Sequence, residues 1–350
     1  MKKFNRIVGT AAAAAALLLS IAACSNSFTP QTPPEQTQNN AQSTQVTLET
    51  PLTLKAIEAG AVITFKNKAA GAVTYKVNGG APQTIAKNST GTITLATACD
   101  KVEFFGDNKT YATSKTDYSN ISCTKDCYVY GNIMSLVQSE GFKDATELKQ
   151  SYTFFSLFGS NAHIKNKDGE PLLLPATKLA TWCYARMFID CTSLTAAPAL
   201  PATSLADYCY TSMFRGCSSL ASAPELPATS LATWCYAYMF IDCTSLTAAP
   251  SLPATWLSIY CYEGMFSGCT SLTAAPSLPA TTLEYACYGE MFSGCTSLNS
   301  VTCLATNISA NACTTNWLDG VAANGTFTKA AGMTGWTTGK SGIPNGWTVK

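Results

Sequence analysis

The chain has 350 residues, of which 47% are hydrophobic and only 12% are charged, and its formal net charge at pH 7 is +1. A protein that binds nucleic acid needs clustered positive charge to neutralise phosphates, so this balance excludes that class of function. Enzyme function is not expected either, because the sequence has no phosphate-binding glycine loop and its single histidine, His163, has no triad-like arrangement of partners. We therefore predict no catalytic residue, metal site, cofactor or small-molecule substrate.

The N-terminus has the pattern of an export signal. A short basic segment precedes an alanine- and leucine-rich run from 7 to 23, which predicts a signal peptide over residues 1–23. The run ends in an apolar residue, two small residues and Cys24, a sequence similar to the bacterial lipobox, so we expect Cys24 to be lipid-modified. A plain signal peptide with a chance cysteine is the alternative. Ser25, in place of an aspartate, favours the outer membrane.

The next two segments differ sharply in composition. Residues 24–50 are rich in Ser, Thr, Pro, Gln and Asn, which predicts a disordered tether. Residues 51–125 show alternating apolar and polar side chains with glycines between the runs. This pattern predicts a small β-sandwich of about four to six strands. The expected strands include those around Val73 and Val102.

Residues 126–173 are predicted to form an N-terminal cap. Asp144 and Glu147 have the spacing of a capping box, so we expect a short helix to follow them. The segment 153–161 matches the later repeats position by position, although Asn161 stands where they have a cysteine. It predicts a degenerate first repeat, as expected where a repeat array has to cover its exposed core.

The sequence Leu-Pro-Ala-Thr recurs with a period of 26 residues, beginning at Leu174, Leu200, Leu226, Leu252 and Leu278. Each copy follows the pattern LPATxLxxxCYxxMFxxCxSLxxxPx, so residues 174–303 hold five repeats. A unit this short cannot bury its own Leu, Cys, Met and Phe side chains, and neighbouring copies have to stack to form a shared core. The repeats therefore predict a solenoid, which offers an extended binding surface rather than a pocket.

Spacing within one repeat predicts a short helix and a short strand. Leu205, Cys209 and Met213 recur every four residues, as on one face of a helix. The segment 219–224 is too short for a helix and ends in proline, so we expect a strand that pairs in parallel with its neighbours. The expected fold is an α/β solenoid, a leucine-rich-repeat-like stack of 26-residue coils preceded by the β-sandwich. Residues 304–350 leave the pattern and are predicted to form a C-terminal cap.

The repeat CYxxMFxGCTSLTxAPxLPATxL resembles the BspA-like leucine-rich repeats of bacterial surface lipoproteins, and the similarity covers residues 151–306. The resemblance implies an adhesin that binds host extracellular proteins or proteins of neighbouring cells. It also implies a lipid-anchored protein of the outer membrane, exposed at the cell surface, without catalytic residues. A glycan-binding lipoprotein and a non-adhesive periplasmic scaffold or coat antigen are the alternatives.

The chain has 16 cysteines, most of them in two columns that recur with the repeat. Cys183 and Cys191 lie about 12 Å apart if a helix connects them, which is too far for a disulfide within one repeat. We therefore expect both columns to face inward as small buried side chains. Disulfides between adjacent repeats and a metal-binding ladder are the alternatives. Cys123 and Cys127 have a spacing that allows them to pair with each other or with Cys99.

Aromatic side chains form the best candidate for a binding surface. One aromatic column runs through the repeats and is broken at Ala286, whereas a second column is tyrosine in every repeat and is expected to pack between coils. Positions that vary between repeats are better candidates for specificity, because packing does not determine them. The predicted ligand-binding residues are Trp182, Arg186, Tyr208, Arg215, Trp234, Tyr238, Trp256 and Tyr260.

Overall fold

The computed structural model describes residues 48–350. The predicted signal peptide, Cys24 and most of the predicted tether lie outside the described residues. Within the described range the chain is built mainly from strands and turns, in several sheets of which none closes into a barrel. Two short 3-10 helices span Ile133–Leu136 and Phe142–Asp144. No helix in this range is long and apolar enough to cross a membrane.

The strands are numbered in chain order. The first eight are β1 (Leu52–Ala56), β2 (Ala61–Lys66), β3 (Val73–Val77), β4 (Gln83–Ile85), β5 (Thr90–Leu95), β6 (Lys101–Phe105), β7 (Asn120–Cys123) and β8 (Cys127–Asn132). The others are β9 (Ile164–Lys165), β10 (Leu172–Leu173), β11 (Ala274–Leu278), β12 (Ser300–Cys303), β13 (Thr326–Lys329) and β14 (Thr348–Val349).

Two sheets share a core in the N-terminal part of the structure. A seven-stranded sheet has the order β10-β8-β1-β6-β3-β4, with β9 paired to β8, and a three-stranded sheet has the order β5-β2-β7. The rings of Phe65 in β2 and Phe104 in β6 are 5.3 Å apart, so the two sheets are in contact. The strands predicted around Val73 and Val102 form as β3 and β6. The larger sheet continues through β8, β9 and β10, beyond the segment predicted to be a sandwich.

The short helix predicted in each repeat is wrong. The segment instead forms consecutive turns whose amides alternate between two kinds of partner. The Cys183 amide donates to the Ala180 carbonyl of its own repeat at 3.2 Å, whereas the Tyr184 amide donates to the Cys209 carbonyl of the next repeat at 3.0 Å. A left-handed residue recurs every four positions, beginning with Trp182 at a φ of 61°. An α-helix excludes such residues and keeps its hydrogen bonds within its own segment.

Two further expectations about local structure also need correction. The helix expected after Asp144 does not form, because a 3-10 helix ends at that residue and Glu147 makes an isolated parallel bridge with Lys178. The strand expected in every repeat is formed only in part. Ala196 and Ser222 make an isolated parallel bridge, and continuous parallel pairing begins with β11 and β12. These two strands continue into a four-stranded sheet with β13 and β14.

Turn segments before and after the five repeats join the same stack. The Phe154 amide donates to the Cys183 carbonyl at 2.7 Å, so the predicted degenerate repeat stacks on the first full repeat. At the other end the Tyr288 amide donates to the Cys313 carbonyl at 2.9 Å, so a turn segment within the predicted C-terminal cap hydrogen-bonds to the last full repeat. The buried Trp317 stacks on Tyr288 with ring centroids 6.2 Å apart, and Trp336 stacks on Trp317 with ring centroids 5.3 Å apart, so the aromatic stack continues past the last full repeat.

The interior of the repeats consists of stacked columns of identical side chains. Tyr184 and Tyr210 have ring centroids 5.8 Å apart, and Phe188 and Phe214 have ring centroids 5.5 Å apart. All four rings are buried, and the same contacts recur along the array. The invariant tyrosine column therefore packs between coils, as its perfect repetition indicated.

Both cysteine columns are buried, as expected, but the second column also forms hydrogen bonds between repeats. The Cys217 thiol donates to the Phe188 carbonyl at 3.0 Å, and the equivalent bond recurs in the other four repeats. Burial raises the pKa of the Cys217 thiol to about 12. The cysteines of both columns are free thiols, so the alternative of disulfides between repeats is not observed. Cys123 and Cys127 are also free thiols, and neither forms a disulfide. The described residues contain no group of side chains suited to a metal ion.

Candidate functional site

Four of the predicted binding residues form one continuous stack, which we call the aromatic ladder: Trp182, Tyr208, Trp234 and Tyr260. Their ring centroids are 4.1, 5.8 and 4.2 Å apart in that order, with interplanar angles of 10°, 12° and 23°. Each of these residues is half-buried, so one edge of the stack faces solvent. The structure therefore places the variable aromatic column on an accessible surface.

The backbone of the turns determines where the ladder lies. Each ladder residue has a left-handed φ of 58° to 61°, a conformation that costs a residue with a side chain about 1–2 kcal/mol. Hydrogen bonds between repeats help to offset this cost, as in the bond from the Trp234 amide to the Ile259 carbonyl at 3.2 Å. The next residue in the same turn, Cys235, is completely buried. The ladder residue before it is thereby held at the edge of the core.

Three residues outside the predicted set extend the ladder. Tyr152 stacks on Trp182 at 6.0 Å, and Tyr285 packs edge-on against Tyr260 at 5.1 Å where the column is broken. The Nζ atom of Lys115 lies 4.0 Å from the ring centroid of Trp182. Sequence reasoning missed these residues because Tyr285 is shifted by one position from the column, and Tyr152 and Lys115 lie outside the full repeats.

The other predicted residues are divided between the ladder and other surfaces. Tyr238 joins the ladder, since its ring centroid is 5.8 Å from that of Trp234. Arg186 is exposed at the equivalent position two repeats earlier. Arg215 is exposed at a different position of the turn segment from Arg186. Trp256 is 74% exposed and directly follows the Leu-Pro-Ala-Thr sequence at 252–255. Among the described residues, the ring contacts of the ladder do not include Trp256.

A small cavity of about 150 Å³ opens at the C-terminal end of the ladder. Its lining includes Tyr260, Glu263, Tyr285 and Glu290, and we call it the acidic pocket. The Oε2 atom of Glu263 is shielded from solvent and has no hydrogen-bond partner among the described residues. Burial raises the pKa of Glu263, the Tyr238 hydroxyl opposes this by hydrogen bonding to the carboxylate, and the charge of Glu290 raises it further.

Two other features of the surface lie outside the ladder. A cavity of about 640 Å³ in the β-sheet region is lined in part by Lys76 and Phe105. The single histidine, His163, has its Nδ1 atom 3.1 Å from a carboxylate oxygen of Asp126, and Lys165 lies 2.6 Å from the other oxygen. The ion pair between Lys165 and Asp126 connects β9 with the residue that precedes β8.

Comparison with protein-family models, with curated proteins and with solved structures returns no match. Function is therefore inferred from the sequence pattern and from the geometry of the aromatic ladder.

Proposed function

We propose that this chain is a lipid-anchored cell-surface protein whose repeats form a solenoid and bind proteins of a host or of neighbouring cells. The strict 26-residue period and the resemblance to BspA-like leucine-rich repeats support the architecture. Hydrogen bonds between repeats, such as that from the Tyr210 amide to the Cys235 carbonyl at 3.0 Å, support the stacking. The coils of this solenoid are turns and short strands rather than strands and helices.

The aromatic ladder is the observation that carries the binding function. Aromatic side chains are enriched at protein interfaces, where they bury a large apolar area and anchor the partner. The ladder presents the edges of several rings in one line, and its tryptophans are Trp182 and Trp234. A protein that covered these edges would remove apolar surface from water, at about 25 cal/mol per Å².

The lipid anchor and the outer-membrane location depend on the N-terminal sequence, which includes Cys24. A protease added to intact cells tests the location. The full-length protein should disappear while a periplasmic control protein survives. Survival of both proteins would place the chain in the periplasm and contradict surface adhesion.

The ladder is tested by a triple variant in which Trp182, Trp234 and Arg186 are replaced by alanine. We expect its affinity for immobilised extracellular proteins or for cells to fall by at least about tenfold, since one central aromatic contact contributes about 2 kcal/mol or more. Val349→Ala is the control, because it removes an exposed apolar side chain outside both the ladder and the predicted binding residues, and thermal unfolding shows whether each variant is folded. Equal binding by the wild type and the triple variant would exclude the ladder.

Glycan binding is the second candidate function, because half-exposed tryptophan rings are suited to stacking on sugar rings. A glycan array that gives a ligand, when no protein ligand is found, would favour this alternative. The triple variant again shows whether the ladder is the surface that binds.

A further inference from the structure

The aromatic ladder already binds one cation within the chain. The Nζ atom of Lys115 lies 4.0 Å from the ring centroid of Trp182 and 6.0 Å from that of Tyr208, which are cation–π distances. Lys115 belongs to the segment between β6 and β7, so this contact joins distant parts of the sequence. The N-terminal end of the ladder thus shows how its rings accommodate a positive charge.

The opposite end of the ladder has similar rings, but none of the described residues places a cation over them. The acidic pocket contains Glu263 and Glu290, and no lysine or arginine lines it. Within residues 48–350, neither carboxylate forms an ion pair. The pocket therefore concentrates negative charge against aromatic walls without a positively charged partner among the described residues, although the Tyr238 hydroxyl hydrogen-bonds the Glu263 carboxylate.

This arrangement has an energetic cost that a bound cation would remove. The Glu263 carboxylate is half-buried, and this burial is the first cause of its raised pKa, so its negative charge is disfavoured where it lies. Glu290 adds repulsion between like charges, which is one cause of the raised pKa of Glu263. A neutral or anionic ligand would leave the repulsion in place.

We propose that the acidic pocket receives an arginine side chain of the protein partner, which deepens the proposed function and rests on it. A guanidinium group is planar, stacks on aromatic faces and donates several N–H groups to carboxylates. Tyr260 and Tyr285 line the pocket, Glu290 offers an exposed carboxylate as the acceptor, and Glu263 adds its negative charge. The pocket has a volume of about 150 Å³, which is larger than the volume of several water molecules at about 30 Å³ each. It therefore has room for a group larger than one water molecule. A divalent metal ion fits less well, because the described residues provide no group of three ligands.

Short peptides test the pocket on the full chain. An acetylated and amidated Gly-Arg-Gly peptide is compared with the same peptide carrying citrulline, which keeps the shape of arginine but is neutral. We expect the citrulline peptide to bind at least about tenfold more weakly, a difference of about 1.4 kcal/mol. Titration followed by nuclear magnetic resonance measures such affinities even when they are in the millimolar range.

Glutamine variants connect the binding to the two carboxylates. Glu263→Gln and Glu290→Gln each remove one charge with little change of shape, and each should weaken the arginine peptide by about threefold to tenfold. Glu225→Gln is the matched control, because Glu225 is an exposed glutamate of another repeat. It should bind the peptide as the wild type does, and thermal unfolding verifies that all three variants are folded.

Several outcomes would overturn the proposal. These are equal binding of the two peptides, no binding of either, and an equal loss of affinity in Glu225→Gln. Partner binding by the full chain separates this proposal from the proposed function. If the ladder triple variant loses the partner while Glu263→Gln and Glu290→Gln retain it, the ladder binds proteins but the pocket does not receive arginine. If none of these variants changes partner binding, both proposals fail.

Discussion

Hydrogen bonds from thiols to carbonyls connect neighbouring repeats, and substitution of Cys243 tests their contribution to stability. Cys243 is completely buried, and its thiol donates to the Phe214 carbonyl at 3.2 Å. The same carbonyl accepts the Cys217 amide at 3.0 Å. Cys243→Ala removes the sulfur together with its hydrogen bond, whereas Cys243→Ser retains a donor at the same branch of the side chain.

The expected cost of Cys243→Ala has two parts. Removal of the buried sulfur lowers the free energy of unfolding by about as much as removal of one buried methylene, about 0.8 kcal/mol. Loss of the hydrogen bond lowers it by about 0.5–1 kcal/mol more. We therefore expect the free energy of unfolding to fall by about 1.5 kcal/mol. The Phe214 carbonyl keeps the Cys217 amide as a donor, so the larger penalty of an unsatisfied acceptor does not apply. Cys243→Ser should cost less than Cys243→Ala.

Thermal unfolding followed by tryptophan fluorescence or calorimetry measures this difference. For a folded part of this size a loss of about 1.5 kcal/mol lowers Tm by about 2–3 °C. Cys235 is the control position, because it is equally buried in the same repeat and its thiol faces the backbone of Ala232 and Tyr236 in that repeat. There alanine should be tolerated better than serine. If serine is the worse substitution at both positions, sulfur acts only as an apolar filler and the hydrogen-bond reasoning is refuted.

Three other predictions concern backbone, thiols and pH. Gly264→Ala should lower Tm more than Gly294→Ala, by about 1 kcal/mol in stability, because an added Cβ at Gly264 lies 2.5 Å from the Tyr238 ring and the nearest contact at Gly294 is 3.6 Å; equal Tm values would contradict this. Cys123 should react first with a thiol reagent, since a hydrogen bond from the neighbouring thiol lowers its pKa, and Cys123→Ser should remove the fast phase. Glu263→Gln should raise Tm at neutral pH but not in acid. Because the folded-state pKa of Glu263 is raised, its contribution to the stability of the folded state is present below the unfolded-state pKa and is lost as pH rises through the folded-state pKa. A difference in Tm that does not depend on pH would refute this reasoning.

The helix prediction failed for a specific physical reason. Leu205, Cys209 and Met213 recur every four residues, and this spacing is shared by one face of a helix and by a chain of turns with a left-handed residue in every fourth position. Only the hydrogen-bond partners distinguish the two. Half of the amides in these turns donate to the neighbouring repeat, as the Tyr210 amide does to Cys235. Such a partner is not encoded in the local pattern of one repeat.

The candidate site was predictable only where it repeats. Trp182 and Trp234 are visible in the sequence as members of one column, and the structure stacks that column as a ladder. Lys115 lies in the segment between β6 and β7, far from the repeats in sequence, and nothing in its local sequence indicates that it lies over an indole ring. The juxtaposition of Glu263 and Glu290 arises because the stacking of adjacent repeats brings different positions of the turn together.

The sequence by itself determines the 26-residue period, the buried cysteine and tyrosine columns and the variable aromatic column. Each of these is a property of side-chain order within one repeat, copied along the chain. Tertiary structure alone decides the left-handed turns, the thiol hydrogen bonds between repeats, the cation over Trp182 and the paired carboxylates of the acidic pocket. These features depend on hydrogen-bond and charge partners supplied by another repeat or by the segment between β6 and β7, so they exist only once these parts of the chain are in contact.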